Sequence, residues 1–185
     1  MSSDLPEASP PGVPAEVFVA LGSNLGDPPD LIRRAMDRLD RVAVSAVRRS
    51  SLWWSTPVNC PPGSPVFLNA VVALRPRTGE TPESLLARLQ EIEREFGRHP
   101  KQVLNEARPL DLDLIAWGQE TRSTPSLILP HPRAHQRRFV LEPLAELAPN
   151  VVLPGQTRNV RDLLETAPPD PGLRRWHTPE GIAGK

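Results

Sequence analysis

RPLDLDLI, at residues 108–115, alternates leucine with acidic side chains, which predicts a β-strand with one buried face. Its three leucines share that face, whereas Asp111 and Asp113 project from the other, about 7 Å apart along the strand. Adjacent carboxylates repel each other unless a cation lies between them, and paired oxygens suit a hard ion such as Mg²⁺. Two incidental acids on a solvated strand are the alternative. Arg108 and a basic loop further along the chain favour the metal interpretation.

The composition limits the functions that the chain can have. With 185 residues it has the size of one domain with a substantial core. Its 22 basic and 22 acidic side chains cancel, so no nucleic-acid surface and no membrane surface are expected. The single cysteine, Cys60, has no disulfide partner within these residues, and no signal-peptide pattern or membrane-spanning apolar run is found. We therefore expect a cytoplasmic protein.

Proline-rich segments lie on both sides of the central part of the chain. Residues 1–15 contain four prolines and are predicted to be a disordered tail. Residues 168–185 also contain four prolines and predict a loose tail, although Trp176 could pin part of it. A single domain is accordingly predicted for residues 16–167.

Local signals predict the elements between the tails. A short apolar strand at 17–21 ends in the turn GSNLG at 22–26, and Asp27 then caps a helix that Pro28 opens. The remaining elements are predicted as a strand at 42–54, a loop at 55–65, a strand at 66–75, a helix opened by Thr81 and ended by Gly97, an irregular stretch at 99–107, the aspartate strand, a hairpin at 118–129 and a short helix at 139–147.

The order β-α-β-β-α-β is typical of the split βαβ unit. It predicts an α+β fold, a ferredoxin-like two-layer sandwich in which both helices pack on one face of an antiparallel sheet. A C-terminal extension follows this unit. The opposite face of the sheet would be free to hold a site.

Arginines are the best candidates for binding phosphate. The turn at 22–26 lacks the lysine of a P-loop, and the dinucleotide fingerprint G-x-G-x-x-G is absent, so a plain tight turn is the favoured interpretation. Arg98, Arg108 and Arg137 lie outside the apolar stripes, and each taken alone could be an ordinary surface residue. Together with two aspartates they make the set that phosphoryl transfer needs, namely carboxylates for a metal and guanidinium groups for developing charge.

Three further polar residues are candidate ligands. Gln90 and Glu93 share the polar face of the second helix and could meet a ribose or a base, although a solvated helix face is the alternative. His131 stands between two prolines and could donate to a phosphate. No second histidine or cysteine stands at metal-ligand spacing from it, so a zinc site is not expected.

Four motifs occur in a fixed order, namely ALGSNLG at 20–26, FLNA at 67–70, RPLDLD at 108–113 and LPHP at 129–132, followed by Arg137 and Phe139. Together they resemble the 6-hydroxymethyl-7,8-dihydropterin pyrophosphokinase family of folate biosynthesis over about residues 17–154. The resemblance implies a Mg²⁺-dependent diphosphotransferase. ATP would give its terminal pyrophosphoryl group to the hydroxymethyl oxygen of 6-hydroxymethyl-7,8-dihydropterin, and AMP would leave.

The same resemblance implies the site residues. Asp111 and Asp113 would hold two Mg²⁺ ions on the triphosphate, and Arg98 and Arg108 would stabilise the migrating charge. The implied ATP contacts are Gln90, Glu93, Arg98, His131 and Arg137. The implied pterin contacts are Thr56, Pro57, Phe67, Asn69, Asn105 and Phe139. Loops 55–65 and 99–107 would close over the substrates, and the chain would act as a monomer.

The sequence departs from the family pattern in loop 99–107 and beside the pterin contacts. Leu104 and Glu106 stand where a basic and a small residue are usual, Asn105 where tryptophan is frequent, and Phe67 where some members have tyrosine. Two other functions stay open on the residues alone. Another Mg²⁺-dependent nucleotidyl transferase or cyclase would leave Asn69 unexplained, and a binding module without catalysis would leave the aspartate pair unexplained.

Overall fold

The computed structural model describes residues 15–57, 63–99 and 106–177. Cys60, Leu104, Asn105 and nearly all of the predicted tail at 1–15 lie outside these ranges. The elements are, in chain order, β1 (Val17–Ser23), α1 (Pro28–Asp40), β2 (Arg48–Arg49), β3 (Trp53–Ser55), β4 (Phe67–Leu74), α2 (Pro82–Glu95), β5 (Asp111–Trp117), β6 (Arg122–Ser123), β7 (Ile128–Leu129), α3 (Arg138–Leu147), α4 (Val160–Thr166) and β8 (Arg174–Arg175).

Both long helices begin where their capping residues predict. The backbone N–H of Asp30 donates to Asp27 Oδ1 over 3.2 Å at the start of α1. Thr81 and Ser84 form a reciprocal capping box at the start of α2, each side chain accepting from the other's backbone N–H. Gly97 follows α2 with a φ of 85°, a left-handed conformation in which glycine carries no steric penalty.

The main sheet is antiparallel with the strand order β5-β1-β4-β3-β8, and β2 also pairs with β4. Strand β1 therefore lies between β4 and β5, as the split βαβ unit requires. The predicted α+β class with an antiparallel sheet and packed helices is confirmed. The predicted hairpin at 118–129 is present as the β6–β7 pair.

The prediction of one continuous strand at 42–54 is wrong. Ala43 makes only an isolated bridge, and the segment then forms two short strands, β2 and β3. Ser50 separates them, because its side-chain Oγ accepts from the Val71 N–H over 2.9 Å while its own N–H donates to the Val71 carbonyl over 3.0 Å. The hydroxyl thus replaces a backbone carbonyl in the ladder, which interrupts regular pairing.

The predicted loose tail is also wrong for part of its length. Arg174 and Arg175 form strand β8 and pair with Trp54 and Trp53 at the edge of the sheet. Trp176 is partly buried and packs against the first core cluster, with its ring next to Arg33 of α1. The sequence allowed for this role of Trp176 but not for the strand.

The two faces of the sheet are covered differently. Helices α1 and α2 bury the first face, where the three leucines of the aspartate motif lie. Helices α3 and α4 form a second buried cluster with Phe18, Val71 and Ile115 on the opposite face. That face is therefore only partly free, and the two-layer prediction omitted this layer. Within the described ranges, no helix has the length and apolar character needed to cross a membrane.

Candidate active site

The uncovered end of the second face forms a cavity of about 370 Å³. Strand β1 forms its floor. There, Ala20 carries only a methyl group and Gly22 has no side chain. Gly22 lies opposite Asn69 on one neighbouring strand and Asp111 on the other. A Cβ atom on Gly22 would lie 3.7 Å from Asn69 Oδ1 and 3.9 Å from Asp111 Cβ. The small floor residues therefore leave room above the sheet between these two polar side chains.

Ten residues predicted for the site from the sequence line this one cavity, namely Thr56, Phe67, Asn69, Arg98, Arg108, Asp111, Asp113, His131, Arg137 and Phe139. They come from segments that are far apart in the chain. Gln90 is exposed on α2 and does not line the cavity, and Pro57 lies beside it without lining it. Asn105 lies outside the described residues.

Asp111 is held by two arginines at one end of the cavity. Arg98 Nη1 lies 2.7 Å from Asp111 Oδ1, and Arg108 Nη1 lies 3.5 Å from Asp111 Oδ2. The buried Nε of Arg108 has no hydrogen-bond partner within the described part of the chain. Two guanidinium groups thus converge on the carboxylate, and the Nε of one of them is unpaired among the described residues.

The glycine-bounded turn at 22–26 has a structural role at this end of the cavity. The backbone N–H of Arg108 donates to Asn24 Oδ1 over 2.8 Å, and the Asn24 N–H donates to the Arg108 carbonyl over 3.2 Å. The turn therefore holds the backbone of Arg108. This agrees with the interpretation as a tight turn and explains its position next to the site.

Glu93 lies behind Arg98 and not on a solvated helix face. It is only 5% exposed, its Oε1 accepts from the Leu112 N–H over 2.7 Å, and it forms a close ion pair with Arg98 Nη1. Burial raises the pKa of Glu93 to about 7, against the lowering effects of the Leu112 N–H and of Arg98. Glu93 thus joins α2 to β5 and orients the arginine that reaches Asp111.

Asp113 faces a basic and partly buried wall. Burial, and then the negative charge of Asp111, raise the pKa of Asp113, while His131 and Arg137 act in the opposite direction. Burial lowers the pKa of His131, although Asp113 partly opposes this. Burial, and then the positive charge of Arg133, lower the pKa of Arg137. Such shifted pKa values are typical of functional sites, and a bound cation beside Asp113 or a bound anion beside Arg137 would compensate the charges there.

The position and tautomer of His131 follow from backbone contacts. The backbone N–H of His131 donates to the Ile115 carbonyl over 2.8 Å. The ring Nδ1 of His131 accepts from the backbone N–H of Arg133 over 3.2 Å. In the neutral ring the proton then resides on Nε2. His131 can therefore donate one hydrogen bond from Nε2.

The opposite end of the cavity is aromatic. Phe67 and Phe139 line it, and the Arg137 guanidinium carbon lies 5.5 Å from the centre of the Phe139 ring. Asn69 Nδ2 donates to the Trp53 carbonyl over 3.2 Å and to Ser55 Oγ over 2.9 Å. A flat heterocycle bound there would find ring faces to stack on and a fixed amide at its edge.

Several residues that line the cavity were not predicted as site residues from the sequence: Ala20, Gly22, Ser55, Arg133, Gln136 and Val140. Arg133 and Gln136 lie between the LPHP motif and Arg137, and that position was the only signal for them. Ser55 is adjacent to Thr56, but nothing in the sequence indicates that its hydroxyl contacts Asn69.

The two aspartates fit a magnesium site that a substrate completes. Within the described ranges, no group of three or more histidine, cysteine, aspartate or glutamate side chains could hold a metal ion. Mg²⁺ is commonly bound by one or two carboxylates, with water and substrate phosphates completing an octahedral shell. Asp111 and Asp113 are a carboxylate pair of this kind at the basic end of the cavity, and they would be the residues to hold the ion.

Comparisons with known proteins agree with this site. Residues 18–149 match the family model "7,8-dihydro-6-hydroxymethylpterin-pyrophosphokinase (HPPK)". The chain is 40% identical over 153 residues to the 2-amino-4-hydroxy-6-hydroxymethyldihydropteridine pyrophosphokinase of Pseudomonas aeruginosa, covering 82% of this chain and 91% of that protein. It is 34% identical over 166 residues to the protein of the same name from Bacillus subtilis, covering 89% and 92%.

Solved structures support the fold. A crystal structure of an HPPK-DHPS in complex with substrates superposes with a TM-score of 0.64 at 11% identity, over 83% of this chain and 43% of that one. The wild-type HPPK-DHPS of Plasmodium falciparum superposes with a TM-score of 0.62 at 12% identity, over 82% and 41%. At these identities the likeness concerns the fold alone. The family match and the two bacterial relatives show that the chain belongs to the HPPK family and is a pyrophosphokinase of folate biosynthesis.

Proposed function

We propose that the cavity on the second face is where this chain transfers the terminal pyrophosphoryl group of ATP to 6-hydroxymethyl-7,8-dihydropterin. One observation carries the proposal. Two aspartates and two arginines converge at one end of the cavity, while an amide and two phenylalanine rings line the other. A polyphosphate and a flat heterocycle could therefore bind side by side over the same floor.

Asp111 and Asp113 would hold two Mg²⁺ ions together with the triphosphate. Bound metal would neutralise phosphate charge and stabilise the transferring group. Arg98 is paired with Asp111, and we propose that its guanidinium turns to phosphate oxygens when ATP binds. Glu93 would keep Arg98 in reach throughout, because its bond to the Leu112 N–H fixes it to β5.

The remaining basic groups would bind the nucleotide. Arg108 offers its unpaired Nε, His131 offers Nε2–H, and Arg137 lies beside both. Arg108, His131 and Arg137 all line the same partly buried cavity, where hydrogen bonds to charged oxygens are strong. Gln90, on the exposed side of α2, is proposed as an outer contact to ATP. Glu93 was expected to contact ATP directly, and its burial supports a role in positioning Arg98 instead.

The pterin would occupy the aromatic end. Phe139 would stack on the pterin ring, with Phe67 beside it, and Asn69 would pair with the ring edge. Thr56 and Pro57 would contribute backbone groups at the same edge. Asn105, in the loop over residues 99–107, is proposed as a further contact, with both loops closing over the substrates to exclude water.

We further propose that the chain works as a monomer in the cytoplasm. The ten predicted residues lie together within the fold of a single chain, so no second copy is needed to bring them together. The single cysteine and the use of ATP fit a reducing compartment.

Product analysis tests the proposal directly. The protein is incubated with ATP and Mg²⁺, with and without 6-hydroxymethyl-7,8-dihydropterin, and the nucleotide and pterin products are separated. We expect AMP and the pterin diphosphate only when both substrates and Mg²⁺ are present, and neither after chelation of the metal. Release of inorganic pyrophosphate would indicate nucleotidyl transfer or cyclisation, and absence of turnover would indicate a binding module.

A further inference from the structure

The C-terminal segment 170–176 lies along the outer edge of the cavity wall. Its strand β8 pairs with β3, placing Arg175 opposite Trp53 and Arg174 opposite Trp54. The backbone N–H of Trp176 donates to the Leu52 carbonyl over 2.7 Å. The segment thus covers the edge of β3, the strand that ends at Ser55 and leads directly into Thr56.

Two further contacts fix the segment to the helices on both faces. The Arg33 guanidinium carbon of α1 lies 4.7 Å from the centre of the Trp176 ring, a cation–π geometry. On the other face, Glu146 of α3 accepts from Trp53 Nε1 over 2.9 Å and lies 3.6 Å from Arg175 Nη2. The segment is therefore an integral edge of the sheet.

A tight turn at the start of this segment touches the cavity wall. The Gly172 N–H donates to Asp170 Oδ1 over 3.0 Å, and the Leu173 N–H donates to the Asp170 carbonyl over 3.0 Å. This turn presses the backbone of Gly172 against the side chain of Thr56. A Cβ atom on Gly172 would overlap Thr56 Cγ2 and lie 3.2 Å from both Thr56 Cβ and Oγ1. Only a glycine fits there without displacing Thr56.

We propose that Gly172 is a positioning residue for the pterin end of the cavity, holding Thr56 and the following Pro57 in place from behind. This inference rests on the proposed function, which assigns Thr56 to the pterin contacts. Thr56 lines the cavity on one side and meets Gly172 on the other, so a Cβ that overlaps Thr56 Cγ2 must displace the Thr56 side chain at the cavity wall. Among the described residues, the hydrogen bonds of this turn do not reach the arginines or aspartates of the basic end, so that end should be unaffected.

Gly172→Ala is the first test. Affinity for 6-hydroxymethyl-7,8-dihydropterin is measured by calorimetry with a non-hydrolysable ATP analogue and Mg²⁺ present, and affinity for the analogue is measured alone. We expect pterin binding to weaken by about tenfold or more, with the affinity for the analogue changed less than about twofold. Gly79→Ala is the matched control, because Gly79 has a φ of 83° and open space at its Cβ position. It should lower the melting temperature and leave both affinities unchanged.

A size-compensation variant separates positioning from general damage. Thr56→Ser removes the methyl group that the new Cβ would overlap, so Gly172→Ala combined with Thr56→Ser should bind the pterin more tightly than Gly172→Ala alone. If Gly172→Ala does not fold, Trp176→Ala loosens the same segment without adding atoms, and pterin affinity should again fall selectively. Unchanged pterin affinity in these variants, or equal losses for both ligands, would overturn the inference. A wild-type protein that binds the ATP analogue but no pterin would refute the assignment of the cavity itself, and this inference with it.

Discussion

The two aspartates of β5 should respond in opposite directions when their charge is removed from the ligand-free protein. Asp113 is partly buried beside Asp111, and both burial and the neighbouring charge raise its pKa. Two carboxylates about 7 Å apart repel each other by about 2 kcal/mol at an effective dielectric constant of about 20. Asp113→Asn keeps the shape and removes this cost. We expect it to stabilise the ligand-free protein by about 1–2 kcal/mol, or about 2–6 °C in melting temperature.

Asp111→Asn is the matched control on the same strand face. The Asp111 carboxylate forms ion pairs with Arg98 Nη1 at 2.7 Å and Arg108 Nη1 at 3.5 Å. Loss of its charge therefore leaves two partly buried guanidinium groups with a weaker partner. Relief of the repulsion with Asp113 offsets part of that loss. We expect net destabilisation of about 1 kcal/mol. The measurement is thermal unfolding of both variants and the wild type in the same buffer at about pH 8.

Activity should fall in both variants despite the opposite effects on stability. Metal stabilisation of the transferring group is worth several kcal/mol, so we expect turnover to fall by about a thousandfold or more. Wild-type protein at about 100 times the dissociation constant of Mg²⁺-ATP should gain about 2.7 kcal/mol of stability, and both variants should lose this gain. A destabilised Asp113→Asn together with a stabilised Asp111→Asn would refute the electrostatic reasoning, and near-native turnover in either variant would refute the metal assignment.

Three further predictions concern the arginines, the amide and the buried glutamate. Arg98→Ala and Arg108→Ala should lower kcat more than they raise KM. The corresponding Arg→Lys variants should recover little activity, because an ammonium point charge does not replace the two-pronged guanidinium group. Steady-state kinetics that show only a KM effect for ATP would argue that these arginines contribute ground-state binding instead. Asn69→Ala should weaken pterin binding by about 1–3 kcal/mol and leave ATP affinity little changed, and calorimetry with each ligand tests this against Ser55→Ala, which removes only the hydroxyl partner. The raised pKa of Glu93 means that its buried carboxyl stabilises the fold below pH 4.5, and that this stability is lost as the pH rises through about 7. Between about pH 4.5 and 8, the melting temperature of Glu93→Gln should therefore fall less than that of the wild type. Parallel curves of melting temperature against pH would contradict the raised pKa of Glu93.

Short-range patterns in the sequence determined most of what identifies this protein. The period of two around Asp111 and Asp113 placed both carboxylates on one strand face, and the pairing of β5 with β1 agrees with it. Asp27 and Thr81 marked the helix starts because a capping side chain acts on backbone groups only two or three residues away. The ordered motifs then indicated the family, and with it the reaction.

Tertiary contacts decided what the local patterns left open. Glu93 reads as a polar helix residue, but the packing of α2 against β5 buries it against the Leu112 N–H. Ser50 divides a predicted strand through bonds to Val71, which is 21 residues further along the chain. Gly172 meets Thr56 only because β8 pairs with β3. A periodic pattern reports which face of an element is apolar, whereas the neighbour that meets each polar side chain depends on how distant segments pack. The strand face of the aspartates was therefore readable from the sequence, and the arrangement of the groups around them was not.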